Sequence, residues 1–562
     1  MPLPLSRLRR ALGRLLPGRA DWRAMGWDGV LGALASAALL TLAFPRADLG
    51  GLVWVALVPV FAVTRAKPPR AARWLWYLFG VVWSYASLCW FNVTLYVNPL
   101  VLGGIVLLAL VLGLWMLLFG WAVVWLRRLG PVHLLLVPML WPALEYTHLF
   151  GELAFPWLYL AHTQHGVPVM IQSASFAGTW GLSFLIVAIN LLLAEALALR
   201  FGRAASPAHW APTVLGTLLW SALMAANLLL GQRALDRWNT PPTERAVRIA
   251  IVQPAWAQRD KLAAGEDPAI ERDLFALLID QLRRIEPGHT DLVLLPESVI
   301  IDFFFPLGSR VRLADLGQEA RRLHAAVVFG ANNCALRPGA DPAADEIWPS
   351  DLTLRNSVWS LDASGEIVAT YDKIRLVAFA ESAPLVSLVP GLMQLTLGNL
   401  ALFEPGEAAA PLAVHTPRGP VALGAHVCFE STFPNLVAEQ VRSGAEILAT
   451  VTNDAWFLDT AGPWQHWIVQ PFRAVENRRW IVQAANTGPS SAVNPAGVVV
   501  HRSRLDHRTT LHADAEPLTT LTFYTRHGDW LARLFGVFSL AGLAAALWRR
   551  RSLAGHFPRT PP

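Results

Sequence analysis

The chain has 562 residues, of which 54% are hydrophobic and only 15% are charged. A soluble domain of ordinary make-up carries about 25% charged residues, so this composition argues against a wholly soluble protein and indicates that part of the chain lies in lipid. The 25 tryptophans agree, because tryptophan favours membrane interfaces. The net charge of +6 could indicate a nucleic-acid partner, but many arginines lie beside apolar segments. We therefore expect a membrane as partner and no nucleic acid.

Eight apolar segments are candidates for membrane spans, each of which needs about 20 residues. The second and the fifth are short or carry polar residues. Together the eight segments predict a polytopic helical membrane domain over residues 1–231 with about seven spans, and a C-terminal span with a tail over 529–562. The segments lie near residues 26–44, 50–64, 74–97, 100–126, 131–149, 170–199, 211–231 and 529–548.

Basic residues mark alternate connections between these segments. Arginine and lysine precede the first segment and follow the second, fourth, sixth and eighth, whereas the other connections are poor in both, apart from Arg46. Because cytoplasmic loops carry an excess of basic residues, both termini are expected in the cytoplasm and segment 232–528 on the other side. Some segments could instead be buried core helices, which the regular alternation of charge disfavours. The first could pass for a signal peptide, but more spans follow it, so no cleavage is expected.

Segment 232–528 has the pattern of a layered α/β domain. Short apolar runs predict buried strands, amphipathic stretches predict helices, and "VWSLDASGEIVATYDK" predicts a hairpin around Ala363-Ser364-Gly365. The predicted helices are "AIERDLFALLIDQLRRI", "VRLADLGQEARRLHA" and "FPNLVAEQVRSGAE". The predicted strands are "RIAIVQ", "DLVLLPE", "AVVFGANN", "VALGAHVCF" and "ILATVTN".

Candidate reactive groups follow the ends of three of these predicted strands: Glu297, Lys373 and Cys428. Each alone has an ordinary explanation, because such a glutamate is usually solvated, such a lysine lies on the surface and most cysteines are buried as small hydrophobes. Together they could perform acyl transfer through a thioester. A carboxylate can take the thiol proton, and an ammonium can stabilise the thiolate and the oxyanion of a tetrahedral intermediate. The backbone N–H of Phe429 could be a second oxyanion donor.

Several motifs resemble a known family. "LLPES", "YDK" and "VCFES" resemble the Glu-Lys-Cys triad of the nitrilase superfamily. Longer stretches are similar to the apolipoprotein N-acyltransferase family, and the similarity covers most of the chain, including the order of the membrane spans. These stretches are "LTLAFPRADLGGLVWVALVPVFAV", "AFPWLYLAHTQ", "IAIVQPAWAQRDK", "DKIRLVAFAES", "VCFESTFP" and "TNDAWFLDTAGPWQHWIVQPFRAVENRRWIVQAANTGPSSAVNPAGVV".

The resemblance implies a nitrilase-like α-β-β-α sandwich held on the periplasmic side of a bacterial inner membrane by eight helices. It implies Glu297 as general base, Lys373 as stabiliser of thiolate and oxyanion, and Cys428 as nucleophile. Glu381 and Glu430 would be supporting residues that orient the lysine or fix the loop. For Glu430 a purely structural hydrogen bond is an equal alternative.

The resemblance also implies the substrates. A phospholipid would donate an acyl chain, and the α-amine of the diacylglyceryl-cysteine at the N-terminus of an apolipoprotein would accept it. No metal or organic cofactor is implied, and nothing demands a second copy of the chain, so a monomer is expected. The alternatives are a membrane-tethered nitrilase-type amidase, in which water replaces the amine, and a non-catalytic lipid or lipoprotein carrier.

Two features qualify this interpretation. The family pattern is altered at Ala378, Ala380 and Phe429, where proline, glycine and tyrosine are usual, which affects loop stiffness and substrate fit. Apolar residues also gather after the candidate groups, in "VIIDFFFPLG", in "LVAFAESAPLVSLVPGLMQLTLGNLALF" and around "AWF" and "PWQHWIVQPF". They are expected to dip into the bilayer and guide acyl chains. The alternative is that they fold into the core.

Overall fold

The computed structural model of the chain describes residues 17–96, 101–201, 207–302, 305–307, 310–337, 339, 351–384 and 403–554. Phe303, Phe304 and the part of the apolar stretch after Lys373 that runs from 385 to 402 lie outside the described residues. Within them, apolar helices occupy the first part of the chain and its end, and two β-sheets with their helices lie between.

Helices dominate the described residues that precede the first strand. They are α1 (Arg19–Ala43), α2 (Val53–Ala56), α3 (Val58–Arg65), α4 (Pro69–Leu88), α5 (Val101–Leu126), α6 (His133–Thr147), α7 (Pro168–Ile171), α8 (Ala174–Phe201) and α9 (Pro207–Trp238).

Five helical segments are long and apolar enough to cross a membrane, which agrees with a polytopic membrane protein. The fourth and fifth predicted spans correspond to α5 and α6, which follow each other across a kink at Gly130. The second coincides with the shorter apolar stretch Gly50–Arg65. The third predicted span corresponds to α4, which carries two arginines and several aromatic residues. The number of eight spans therefore stays a prediction. The five segments are Arg19–Ala43, Leu102–Thr147, Ala174–Phe201, Trp210–Trp238 and Trp530–Arg549.

The domain between the apolar helices contains two six-stranded sheets, with orders β12-β1-β2-β3-β4-β5 and β11-β10-β9-β8-β7-β6. The first is built from β1 (Val247–Gln253), β2 (Leu292–Leu294), β3 (Ala326–Leu336), β4 (Leu352–Leu361), β5 (Ile367–Asp372) and β12 (Thr509–Ala515). The second is built from β6 (Leu412–Thr416), β7 (Gly419–Val427), β8 (Ile447–Thr452), β9 (Ile481–Ala485), β10 (Ser491–Val493) and β11 (Val499–Arg502).

Helices cover the outer faces of the two sheets. Aliphatic residues of both sheets pack against each other in a central core. A second core joins the first sheet to α11 and α12, and a third joins the second sheet to α13 and α15. The prediction of an α-β-β-α sandwich is confirmed. The helices are α10 (Gln258–Ala264), α11 (Pro268–Arg283), α12 (Val311–Leu323), α13 (Pro434–Arg442), α14 (Gly462–Trp467), α15 (Gln470–Asn477), α16 (Phe523–His527) and α17 (Trp530–Ala554).

The predicted strands, helices and hairpin of this domain all form. In the hairpin, β4 and β5 pair antiparallel, with Leu361 opposite Ile367. The prediction that the apolar residues after Glu297 face the bilayer is wrong for three of them, whereas Leu307 is exposed. Val299, Ile300 and Phe305 are buried in the outer core of the first sheet, because this loop folds back over β3 instead of projecting towards lipid.

Gln465 connects the sandwich to the membrane part through four hydrogen bonds. Buried Gln465 on α14 donates from Nε2 to the carbonyl oxygens of Pro45 (3.1 Å) and Ser87 (3.0 Å). Its Oε1 accepts from the indole N–H groups of Trp90 and Trp157, both at 3.0 Å. The prediction that the apolar residues of "PWQHWIVQPF" dip into the bilayer is wrong for Trp467 and Phe472, which are buried in the core shared with the membrane helices.

Candidate active site

Cys428 lies directly after β7, at the edge where the parallel strands β7 and β8 both end. Its backbone adopts φ 52°, in the left-handed region that non-glycine residues rarely occupy. Such a conformation costs of order 1–2 kcal/mol and lifts the side chain out of the strand's alternation. The short 3-10 helix Cys428–Thr432 begins there. The side chain is half-buried, so the fold presents this thiol at the rim of the sheet.

Glu430 holds the turn that carries the thiol. Its buried carboxylate accepts from the Val427 N–H through Oε2 at 2.8 Å. Through Oε1 it accepts from the Tyr371 hydroxyl at 3.0 Å and from the Ile374 N–H at 2.7 Å. It therefore ties the end of β7 to the chain after Lys373. Of the two interpretations of Glu430, this geometry favours the structural one.

Glu297 is buried at the start of the loop that follows β2. Its Oε1 accepts from Asn356 Nδ2 at 2.7 Å, and its Oε2 accepts from the Asn453 N–H at 2.8 Å. Burial raises the pKa of this carboxyl above its usual value, and the positive charge of Lys373 limits the rise. Gly330 makes room for the loop, because a Cβ there would lie 2.5 Å from the Cα of Glu297.

Lys373 is buried and its ammonium is held by Glu381. Nζ donates to Glu381 Oε1 at 2.8 Å, and Asn356 Nδ2 donates to the same oxygen at 3.1 Å. Burial alone would lower the pKa of Lys373, but the carboxylates of Glu381 and Glu297 outweigh it and raise the pKa. The lysine therefore remains a cation, and Glu381 has the geometry of a positioning residue.

The altered loop after Lys373 still closes. The carbonyl oxygen of Val377 accepts from the N–H groups of Ala380 and Glu381, at 3.2 and 2.9 Å. Glu381 Oε2 in turn accepts from the Val377 N–H at 2.8 Å. The unusual alanines at 378 and 380 therefore do not prevent the glutamate from reaching the lysine.

The Cys428 thiol lies near enough to both charged groups for their charges to act on its pKa. Burial raises the pKa of the thiol well above its usual value, and the negative charge of Glu297 raises it further, whereas Lys373 lowers it. At neutral pH the sulfur therefore keeps its proton until a base removes it. The three residues that the sequence singled out are thus electrostatically coupled, and their roles stay a prediction.

A buried histidine that the sequence analysis did not single out lies against the same turn. His466 Nε2 is 2.9 Å from the carbonyl oxygen of Cys428, and Nδ1 is 3.0 Å from Asp454 Oδ1. Both of these partners are acceptors, and Nε2 also lies 3.1 Å from the Ser431 hydroxyl, which can donate or accept. Burial would lower the pKa of His466, but Asp454 outweighs it and raises the pKa, which favours the imidazolium form. The pair of His466 and Asp454 thus supports the strained backbone of Cys428.

The same cluster has the spacing of a metal site, because the ligand atoms of Cys428, Asp454 and His466 lie within 4.8 Å of one another. A metal-bound imidazole must offer a lone pair, yet Nδ1 of His466 faces the Asp454 carboxylate and Nε2 faces the carbonyl oxygen of Cys428. The geometry is therefore that of a hydrogen-bonded network.

Two residues of the site that were not predicted, Asp454 and His466, lie in one stretch of the sequence. Asp454 belongs to "TND" at the end of β8, and His466 to "WQH" on α14. This stretch resembles the family, but its many aromatic residues indicate lipid contact and not a buried polar network. Lys261 was also missed. It is buried, its Nζ lies 3.3 Å from the carbonyl oxygen of Glu297, and burial lowers its pKa to about 8.

Replacement of His466 by glutamine is expected to lower the free energy of unfolding by about 1–3 kcal/mol, because a buried charge-assisted hydrogen bond is lost. The pKa of His466 is higher in the folded protein than in the unfolded chain, where it is about 6.5. Protonated His466 therefore stabilises the folded state below that unfolded pKa, and this stabilisation is lost as the pH rises through the folded pKa. The difference in Tm between wild type and H466Q should therefore be larger at pH 6 than at pH 9. Equal differences at both pH values would contradict an imidazolium.

Aromatic residues of the membrane part pack against the turn that carries Cys428. Trp157, in the loop after α6, stacks on Phe429 with ring centroids 6.2 Å apart and on His466 at 5.8 Å. Phe155 stacks on Trp157 at 5.7 Å and on Phe429 at 6.2 Å. Phe429 therefore fits an aromatic stack that needs no hydroxyl, and the turn that carries Cys428 faces the membrane helices.

Comparison with known proteins gives matches along nearly the whole chain. Residues 36–192 match the family model "Apolipoprotein N-acyltransferase N-terminal domain", and residues 248–520 match "Carbon-nitrogen hydrolase". A protein from Geobacter metallireducens named apolipoprotein N-acyltransferase is 31% identical, over 95% of this chain and 98% of its own length. A protein of the same name from Gloeobacter violaceus is 30% identical, over 94% of this chain and 95% of its own length. Among solved structures, an amidase of the nitrilase superfamily from Nesterenkonia is 20% identical, covers 52% of this chain and 98% of its own, and has a TM-score of 0.36.

Proposed function

This chain belongs to the apolipoprotein N-acyltransferase family, and from that premise we propose the reaction and the residues that perform it. The enzyme transfers an acyl chain from a phospholipid to the α-amine of the diacylglyceryl-cysteine at the N-terminus of an apolipoprotein. The transfer passes through a thioester on Cys428. The single observation that supports the assignment of residues is the coupling of the Cys428 thiol with the buried charges of Glu297 and Lys373.

The first half-reaction loads the enzyme. Glu297 takes the thiol proton, and the Cys428 sulfur attacks an ester carbonyl of the phospholipid. Lys373 and the N–H of Phe429 stabilise the oxyanion, since preorganised donors act most strongly in a site shielded from water. The tetrahedral intermediate then expels the lysophospholipid alkoxide, which receives the proton from Glu297. The acyl chain is left as a thioester.

The second half-reaction uses the same groups in the same order. The neutral α-amine of the lipid-modified cysteine attacks the thioester carbonyl, and Glu297 accepts a proton from the attacking nitrogen. The oxyanion again lies against Lys373. Collapse forms the amide and releases the Cys428 thiolate, which takes the proton back from Glu297. One base thus serves both halves.

The alternative of a membrane-tethered amidase is not favoured. The relatives named as acyltransferases match both the membrane part and the sandwich, over 94–95% of this chain. The packing of Trp157 and Phe155 against the turn that carries Cys428 also supports transfer, because a site shielded from water protects a thioester against hydrolysis. An amidase would release free acid and ammonia, whereas the proposed enzyme releases an N-acylated peptide.

We further propose how the enzyme lies in the membrane. Residues 1–231 form seven spans, 529–562 provide the eighth span and a tail, and residues 232–528 form the catalytic domain. The location is the bacterial inner membrane, with the catalytic domain on the periplasmic side and both termini in the cytoplasm. The alternation of basic connections supports this topology. A monomer is proposed, because the pocket is composed of residues from one chain.

Intact-protein mass spectrometry tests the proposed function. Incubation of the purified enzyme with phospholipid should add the mass of one acyl chain, and fragmentation should place that mass on Cys428. Addition of a synthetic diacylated lipopeptide should then remove the mass and yield an N-acylated lipopeptide. If the adduct forms but yields only free fatty acid in the presence of the lipopeptide, the enzyme is a hydrolase and the proposal fails.

A further inference from the structure

A cavity lies between the membrane helices and the sandwich, and Cys428 is not among its lining residues. Its volume is about 400 Å³, and it opens where the end of α9 meets the start of α8 and the chain before α16. No residue of the catalytic pocket lines it among those that the structure describes. The lining residues on which the argument rests are Arg233, Arg237, Trp238, Arg478, Phe176 and Phe523.

The cavity lies at the level of a membrane surface. The apolar helix Trp210–Trp238 has 29 residues, whereas about 20 suffice to cross the hydrocarbon core. Its last turns, with Arg233 and Arg237, therefore extend into the headgroup region. Aromatic side chains at the ends of two other candidate spans meet at the same place. Phe176 lies 5.3 Å from Trp530 between ring centroids, and the Trp530 indole donates to the Phe176 carbonyl oxygen at 2.9 Å.

The cavity carries uncompensated positive charge. Arg233 and Arg237 are exposed, and no carboxylate is among the described lining residues. The guanidinium groups of Arg237 and Arg478 both lie over the ring of Trp238, at 5.7 and 5.4 Å from its centroid. Burial lowers the pKa of Arg478 to about 10, and repulsion by Arg237 contributes. An anion between these groups would relieve that repulsion.

Arg478 is held in place by the protein itself. Its Nη1 donates to Gln172 Oε1 at 2.8 Å and to the carbonyl oxygen of Pro495 at 2.9 Å. Gln172 also donates from Nε2 to the carbonyl oxygen of Ala496 at 2.7 Å. One cation is therefore fixed in the lining of the cavity, while the two arginines of α9 are exposed beside it.

We propose that this cavity binds the phosphate of an anionic phospholipid whose acyl chains lie along the apolar surface of α9. Guanidinium groups match phosphate oxygens in geometry as well as in charge. The aromatic rim formed by Phe176, Trp238 and Phe523 suits the boundary between headgroups and acyl chains. The bound lipid would join α8, α9 and the sandwich at one point. This site is distinct from the one where the acyl donor reacts.

Native mass spectrometry of the full chain in detergent tests the proposal. The measurements use the Cys428→Ala background, so that no acyl transfer to the thiol contributes and the result is independent of turnover. The probes are phosphatidylglycerol, phosphatidylcholine and inorganic phosphate. We expect retention of phosphatidylglycerol in preference to phosphatidylcholine. The double substitution Arg233→Gln/Arg237→Gln should weaken that retention about 30-fold, since each interfacial arginine contributes about fivefold.

Two control variants separate charge at this site from charge in general. Arg272→Gln, which removes an exposed arginine from α11, should leave lipid retention unchanged. Arg233→Lys/Arg237→Lys keeps the charge but loses the guanidinium geometry, and should weaken retention less than the double glutamine variant does. Equal binding of both lipids, or undiminished binding by the double glutamine variant, would overturn the proposal. Displacement of phosphatidylglycerol by millimolar inorganic phosphate would assign the site to a small anion and would also overturn it.

Discussion

Replacement of Cys428 by alanine is expected to remove the acyl adduct and to lower turnover by about 10⁶-fold, the scale on which loss of a covalent nucleophile acts. No other thiol can take its place. Cys89 is exposed on the membrane part, and Cys334 is buried in β3. The fold should persist, because alanine fills less space than cysteine and keeps the backbone hydrogen bonds of the turn.

The matched controls are Cys89→Ala and Cys334→Ala, each of which should still form one adduct with phospholipid. Turnover is measured as N-acylated lipopeptide, and the adduct as a mass increase of the intact protein. An acyl adduct of normal amount on the Cys428→Ala protein would place the thioester elsewhere. It would end the assignment of Cys428 as nucleophile while leaving the family membership intact.

Replacement of Glu297 by glutamine is expected to lower kcat by about 10²–10⁴-fold, the usual contribution of a general base. The shape of the residue is kept, and its carbonyl oxygen can still accept from the Asn453 N–H. Both half-reactions should slow, because the same carboxylate accepts the proton in each. Single-turnover rates of acylation and of aminolysis, measured separately by mass spectrometry, test this directly.

The pH profile distinguishes a base from a merely structural group. Glu297 must be ionised to accept a proton, and burial raises its pKa above 4.5. The acid limb of kcat/KM should therefore lie above the range of an ordinary glutamate, with activity lost as the pH falls through the raised pKa. This limb should vanish in E297Q and persist in the control Glu439→Gln, which changes an exposed residue of α13. An unchanged acid limb in E297Q would contradict the assigned role.

The sandwich could be predicted from sequence because its strands are short apolar runs that end in distinct polar residues. Glu297, Lys373 and Cys428 each follow a strand, and strand ends are where a layered fold gathers its reactive groups. Glu381 could be placed only through the resemblance. Its contact with the lysine depends on how the loop between them closes.

Other parts of the site could not be predicted, for physical reasons. Asp454 and His466 meet because α14 folds back across the end of β8, a contact that no periodicity encodes. Asn356 joins two carboxylates from the middle of a strand, where a polar residue usually indicates an exposed face. Phe305 shows the converse, because hydrophobicity alone does not distinguish a side chain that faces lipid from one that is buried in a protein core.

The hydrogen bonds of Gln465 limit how the two substrates can arrive. One amide group connects α14 to two carbonyls and two indoles of the membrane part. Tilting the sandwich away from the bilayer would break all of these bonds at once, at about 1 kcal/mol each and with the exposure of buried indoles besides. The position of the Cys428 turn relative to the membrane helices is thus fixed. In the proposed mechanism, donor and acceptor react with the same thiol one after the other, which is the order of a ping-pong enzyme.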